Sequence, residues 1–260
     1  MPLTGPDILL YEKKDRIVTI TLNRPERLNA LSLELEERLA EAWERFRDDD
    51  DAWVAIVTGS GDKAFCVGFD LKDQAERDRA GVEIPDVANR PSIRPETWKP
   101  IIAAINGYVV GGGFSLAQAC DIRIAAEHIE FGITETQWNA PVPFAYELTR
   151  TLHLGHALEI ALWGDRRISA QRGYEIGWIN EVVSKEQLMD RAMEWASRML
   201  DLAPRSVRNI KEIIYRGFHL SPSDGAAYAA ALETNLHGME DSIEGARAFK
   251  EHRKPQFKNR

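Results

Sequence analysis

Three features of the chain combine residue types that do chemistry. The first is Asn106–Asp121, NGYVVGGGFSLAQACD, where Gly111, Gly112 and Gly113 separate the apolar run Ile101–Ile105 from the helix-forming Phe114–Ala119. A strand, a tight glycine turn and a helix start leave backbone N–H groups uncovered at the positive end of a helix dipole, where negative charge on an oxygen is stabilised. The second is Glu135 in FGITE, at an apolar strand end within the largely uncharged stretch 129–146. Burial there would push its pKa upward, which suits a carboxyl that takes and gives a proton near neutrality. The third is Ser115, two residues past the last glycine and twenty before Glu135. A hydroxyl there can orient a water or a substrate oxygen, or simply bond the backbone of its own helical turn. Each feature also has a plainer reading: GGG as a packing turn, Glu135 as a solvent-facing loop residue.

The elements that must position these residues are legible in outline. Arg16–Leu22 alternates apolar and β-branched residues as a strand does. Pro25 stops it, and Ser32 caps a helix over Ser32–Arg47 in which Leu35, Leu39, Ala42 and Phe46 share one face. AWVAIVTG (52–59) reads as a buried strand of parallel type, so the chain opens as β-α-β. The polar segment Gln74–Arg94, with Pro85 and Pro91, reads as a partly helical flap or a surface excursion. Strands follow at Pro100–Ile105, Asp121–Ala126 and Ile129–Phe131. Beyond Pro143 nearly everything is expected to be helical, including Phe144–His153 and Ser184–Leu200, the latter opened by a capping box from Ser184 to Gln187. This gives an α/β core over 1–190 and a helical region over 191–260.

Bulk properties exclude several classes. The chain has 260 residues, 44% hydrophobic and 28% charged, with a formal net charge of −8, which argues against a general nucleic-acid binder. No apolar run approaches the ~20 residues needed to span a bilayer, and no signal peptide is expected, so the expected location is cytoplasmic and off the membrane. Cys66 and Cys120 lack metal-ligand spacing and read as reduced core thiols. The histidines show no paired spacing, and no glycine turn follows a dinucleotide or P-loop pattern, so neither metal nor nucleotide cofactor is expected.

Taken in order, NRPERLNAL (23–31), AFCVGFDLK (64–72), NGYVVGGGFSLAQACDIRIA (106–125), FGITE (131–135), GDRRISA (164–170) and GWINEVV (177–183) resemble the crotonase, or enoyl-CoA hydratase/isomerase, superfamily. The resemblance implies a spiral of repeated β-β-α turns, a helical C-terminal trimerisation region, and a homotrimer or dimer of trimers. It implies an acyl-CoA thioester as substrate, so that coenzyme A belongs to the substrate and no separate cofactor is needed. It maps the two N–H groups that hold the thioester carbonyl to Phe69 and Gly112, and the acid/base carboxyl to Glu135. Ser115 stands where hydratases of this family usually carry a second glutamate. Ala30, Ala64, Gly68, Asp70, Leu71 and Gly111 are implied around the thioester and coenzyme, with Arg24, Arg27 and Lys72 meeting its phosphates. Trp138, Asn139 and Phe144, in a segment that replaces the usual glycine-rich turn, are expected to shape a pocket for a bulky, flat or cyclic acyl group.

GGGFS followed by Glu135 and Trp138 also resembles hydroxycinnamoyl-CoA hydratase-lyases, although Gln74 stands where those carry a tyrosine for the phenol. The leading expectation is hydration of the 2,3 double bond through an enolate. A double-bond isomerase using Glu135 alone, a retro-aldol lyase on an aryl-propenoyl thioester, and a non-catalytic thioester-binding subunit stay open at this point.

Overall fold

The computed structural model describes residues 7–70, 72, 73, 75, 79, 81 and 90–260. Leu71 and Gln74 lie outside the described residues, as does most of the expected flap.

The alternating run near the start forms β2 (Ile17–Leu22), with β1 (Leu9–Lys14) antiparallel beside it. Ser32 caps α1 (Leu33–Asp48) by accepting the Leu35 N–H at 3.3 Å, and the helix buries Leu35, Leu39, Ala42, Trp43 and Phe46. β3 (Val54–Gly59) is buried along its whole length because it is covered on both faces and paired in parallel with β2 and, through Ala55–Thr58, with β5 (Ile101–Ile105).

From β3 onward the chain lays strands alternately in two sheets. β3, β5, β7 (Ile122–Ala126) and β10 (Glu181–Val183) extend the larger sheet, whose order is β1-β2-β3-β5-β7-β10. β4 (Ala64–Cys66), β6 (Tyr108–Val110), β8 (Glu130–Gly132) and β9 (Ile168–Ser169) build the smaller one in that order. Each β-β step therefore advances both sheets by one strand, which is the expected spiral. Between β6 and β7 the return path is α2 (Gly112–Ala119).

Under α2 the core is aromatic. Phe114 stacks on Trp178 with centroids 4.6 Å apart and planes 7° from parallel, and Phe131 and Phe144 flank it at 6.1 and 6.2 Å. The indole N–H of Trp178 donates to Gln118 Oε1 at 2.6 Å, which satisfies the polar edge of the stack. Arg123, also buried, donates to the carbonyls of Trp178, Cys120 and Ala117 at 2.5, 2.7 and 3.3 Å, so its guanidinium is solvated by backbone in place of water. Cys66 and Cys120 are free buried thiols, each pushed up to about 12 by burial.

Three expectations are corrected. The helix foreseen at Phe144–His153 is a 3-10 turn, Pro143–Glu147, followed by a four-residue helix, Leu148–Thr151. Ser184 does not cap a helix. Lys185–Gln187 is a 3-10 turn, the α-helix starts at Leu188, and the Ser184 hydroxyl bonds the Gln187 side chain at 3.3 Å. Glu181–Val183, inside a region expected to be nearly all helical, is a strand parallel to β7; three residues are too few to show a period. The helix Leu188–Leu200 then packs Leu188, Ala192 and Ala196 into the hydrophobic core against the larger sheet.

Trp178→Ala should lower unfolding free energy by about 3–5 kcal/mol, because it removes a ring stacked on two others and leaves a cavity. Urea unfolding followed by circular dichroism measures this, and a loss below about 1 kcal/mol would show that the stack does not organise the core.

Candidate active site

The smaller sheet brings the expected site residues together. β4, β6 and β8 are adjacent and parallel, so their carboxyl ends lie along one edge. Gly68 and Phe69 follow β4, Gly111 and Gly112 follow β6, and Glu135 follows β8. Neighbouring strands lie about 4.8 Å apart, so residues separated by up to 67 positions in the sequence meet within two strand widths. The carboxyl end of a parallel sheet is also where open α/β folds place ligands.

Two glycines permit the closest approaches. Gly68 has φ +89°, and a Cβ there would sit 2.9 Å from the Gly112 nitrogen and 3.1 Å from the Val110 oxygen. Gly111 has φ +58°, and a Cβ there would meet Glu135 Oε1 at 3.0 Å. The loop after β4 thus lies directly on the start of α2, and the Glu135 carboxylate covers Gly111 beside it.

The N–H groups follow from the pairing. Phe69 forms a parallel bridge with Leu31, in which the Leu31 N–H donates to Gly68 O at 2.8 Å and the Asp70 N–H to Leu31 O at 3.0 Å. In such a bridge the N–H of the central residue points away from its partner strand, so the Phe69 N–H faces away from Leu31. The first main-chain bond of α2 is Ser115 N–H to Gly111 O at 3.1 Å, so Gly112 N–H is one of the free donors of a helix start. Among the described residues neither the Phe69 nor the Gly112 N–H is given to another group. Two neighbouring, uncommitted donors, one on a helix N-terminus, can hold an oxygen that gains negative charge.

Glu135 begins a 3-10 turn, Glu135–Trp138, closed by Asn139 in the left-handed region at φ +52°. Its Oε2 is buried, with no hydrogen-bond partner among the described residues. Burial raises its pKa, against the lesser opposing effect of the Glu135 and Thr134 N–H groups. A carboxyl so placed can carry a proton to and from a ligand over Gly111. Ser115 is 3% exposed in the first turn of α2, one turn beyond the residue that Glu135 covers.

The remaining expected residues divide. Asp70 is pulled in two directions: burial raises its pKa, but the bond from Arg24 and the N–H groups of Asp73 and Lys72 outweigh this and hold the carboxyl below its ordinary range. Arg24 bonds Asp70 at 3.1 Å and the Ala30 carbonyl at 2.5 Å, so its guanidinium braces the loop. Ala30 and Ala64 are buried, with the Ala64 carbonyl accepting from Asn29 Nδ2 at 2.8 Å. Arg27 and Lys72 are exposed near this loop. Trp138 is 74% exposed and Asn139 is also exposed, whereas Phe144 is 2% exposed and belongs to the stack on Phe114. The three residues expected to wall one pocket therefore lie in different environments. The Tyr228 hydroxyl donates to Glu212 at 2.7 Å within the C-terminal helices.

Sequence reading missed Arg90 and Glu36. Arg90 lies over the Phe69 ring, with its guanidinium carbon 4.3 Å from the centroid, and pairs with Glu36 at 2.5 Å in a buried setting. A signal existed: Glu36 falls on the same helical stripe as Leu39, Trp43 and Phe46, a charge on an apolar face.

The two-sheet spiral is shared with known proteins. Residues 12–260 match the enoyl-CoA hydratase/isomerase family, and the chain belongs to it. It is 36% identical over 261 residues to an (E)-benzylidenesuccinyl-CoA hydratase of Thauera aromatica, covering 99% of each chain. It is 37% identical to a mevalonyl-coenzyme A hydratase of Aspergillus fumigatus, over 93% of this chain and 91% of that one. An enoyl-CoA hydratase structure from Bacillus anthracis superposes with a TM-score of 0.88 at 35% identity, covering 98% of this chain and 100% of that one. The protein is thus an enzyme of the enoyl-CoA hydratase type that acts on coenzyme A thioesters.

The raised pKa of Glu135 carries a stability consequence. The folded state holds this proton more tightly than the unfolded chain, so stability falls as pH rises from the ordinary glutamate value through the folded one and stays lower above it. Glu135→Gln should therefore be at least as stable as the parent at pH 7 and lose this advantage at pH 4. Thermal melts at the two pH values measure it, and a variant less stable at pH 7 than at pH 4, relative to the parent, would contradict the placement.

Proposed function

We propose that the protein adds water across the 2,3 double bond of an acyl-CoA thioester. The observation that carries this reading is the Glu135 carboxylate against Gly111, with Oε2 buried and, among the described residues, unpartnered, beside two N–H donors given to no other described group. The thioester carbonyl is taken by the N–H groups of Phe69 and Gly112. Glu135 draws a proton from water as it attacks the β carbon, charge builds on the thioester oxygen as an enolate, and the same carboxyl returns a proton to the α carbon. Each N–H donor contributes about 3–4 kcal/mol to such a barrier when it fits the developing oxyanion, comparable to what the carboxyl supplies. Ser115 orients the water or the substrate.

The acyl group is proposed to be bulky, branched or aromatic. Supporting this are the acyl groups in the names of the two hydratase relatives, benzylidenesuccinyl-CoA and mevalonyl-CoA. Self-association as a trimer or dimer of trimers is part of the same reading, supported by the exposed apolar side chains Ile210, Ile214 and Phe218 along the helix Pro204–Gly217 and its end. One observation favours a second reaction. With Ser115 in place of a second carboxyl, Glu135 alone can move a proton between two carbons, which is double-bond isomerisation.

Glu135→Gln should lower kcat by about 10²–10⁴ while coenzyme A thioester binding persists. Incubation of crotonyl-, 3-methylcrotonyl- and cinnamoyl-CoA in water enriched in oxygen-18, with mass detection, separates the readings. Hydration places the label in the product, isomerisation leaves the mass unchanged, and undiminished turnover by the variant would overturn both.

A further inference from the structure

The side chain of Phe69 does something its N–H does not explain. A Cβ built on Gly112 would lie 2.9, 3.1 and 3.2 Å from three atoms of the Phe69 ring. The side chain of one proposed donor residue therefore rests on the α carbon of the other, and the ring sets how far apart the two N–H groups stand. The bridge to Leu31 holds one side of the loop, but the ring itself is only half-buried. The group over it is the Arg90 guanidinium, 4.3 Å from its centroid.

Arg90 is itself held. Its side chain and that of Glu36 are 7% and 8% exposed and bonded at 2.5 Å. Glu36 stands on α1, a helix anchored by Leu35, Leu39, Trp43 and Phe46 in the core. Desolvating two charges is costly, and an apolar pair of similar size would do as well for stability alone. What the ion pair adds is direction: a planar guanidinium tethered by a carboxylate and held over the face of an aromatic ring.

We infer that Arg90, clamped by Glu36, is a positioning residue that presses the Phe69 ring onto Gly112 and so fixes the geometry of the two N–H donors. This rests on the reading of those N–H groups as the oxyanion site. Arg90 acts through Phe69 and touches no reacting atom. A misplacement of about 1 Å at such a site costs on the order of 100-fold in rate, so a small slackening of the ring is enough to be seen.

The test is a double-mutant cycle. Arg90→Gln and Arg90→Lys are made in the parent and in Phe69→Ala, and kcat is measured with the fastest thioester among crotonyl-, 3-methylcrotonyl- and cinnamoyl-CoA. Affinity for free coenzyme A is measured by calorimetry. In the parent, Arg90→Gln should lower kcat about 10–100-fold, and Arg90→Lys, which keeps the charge beside Glu36 but not the planar group over the ring, about 10-fold. Coenzyme A affinity should stay within about twofold, and in Phe69→Ala either change should cost less than about threefold. Arg90→Lys also answers the question if Arg90→Gln does not fold. Parental kcat in either folded variant, or an equal fold-loss with and without the ring, overturns the role. The site reading falls separately, on Glu135→Gln: if that change abolishes turnover while the Arg90 variants stay fully active, only the positioning role is lost.

Discussion

The α carbon of Gly68 lies against the backbone nitrogen of Gly112, close enough that a methyl group on Gly68 would come within 2.9 Å of it. This backbone-on-backbone contact is the constraint from which the site follows. It holds the loop after one strand against the helix start after the next, and it requires a residue that tolerates φ +89° and has no side chain. The parallel pairing of β4, β6 and β8 supplies the frame, and the spiral exists to set those three strand ends side by side. Phe69 N–H, Gly112 N–H and Glu135 are then neighbours by topology, without any long side chain having to reach.

Charge is distributed around that contact by purpose. The chain is acidic overall, yet the immediate site offers an anion two N–H groups and a helix start. Arg24 is spent on the Asp70 carboxylate and the Ala30 carbonyl, which stiffens the loop that carries Phe69. Glu135 is treated in the opposite way: among the described residues no cation answers it and one oxygen is left unpartnered, and burial raises its pKa. A paired carboxylate is a strut, and an unpaired desolvated one is poised for proton transfer.

Much of this was readable in the chain. GGG at a strand-to-helix junction, GFD, and Glu135 after an apolar strand end each announced a local geometry, and the ordered motifs tied them to one fold. Ser32 as a helix cap and Leu35, Leu39, Ala42 and Phe46 as its buried face were fixed by local rules. What escaped depended on tertiary context. β10 is too short for a period to show, and Ser184 turned to a side chain because a 3-10 turn intervened. Phe144 looked like a pocket wall in a linear motif but is stacked in the core on Phe114, whereas Trp138 is on the surface. The Arg90–Glu36 clamp joins residues 54 positions apart, and only the folded chain shows that it sits over the Phe69 ring through Arg90.

The central claim is that the Phe69 and Gly112 N–H groups polarise a thioester carbonyl. The direct measurement is the infrared stretch of a carbonyl-13C-labelled cinnamoyl-CoA, compared free in water and bound to Glu135→Gln, where turnover does not consume it. The account predicts a clear downward shift on binding, because two preorganised donors weaken the C=O bond more than water does. A bound carbonyl at or above its frequency in water would contradict it.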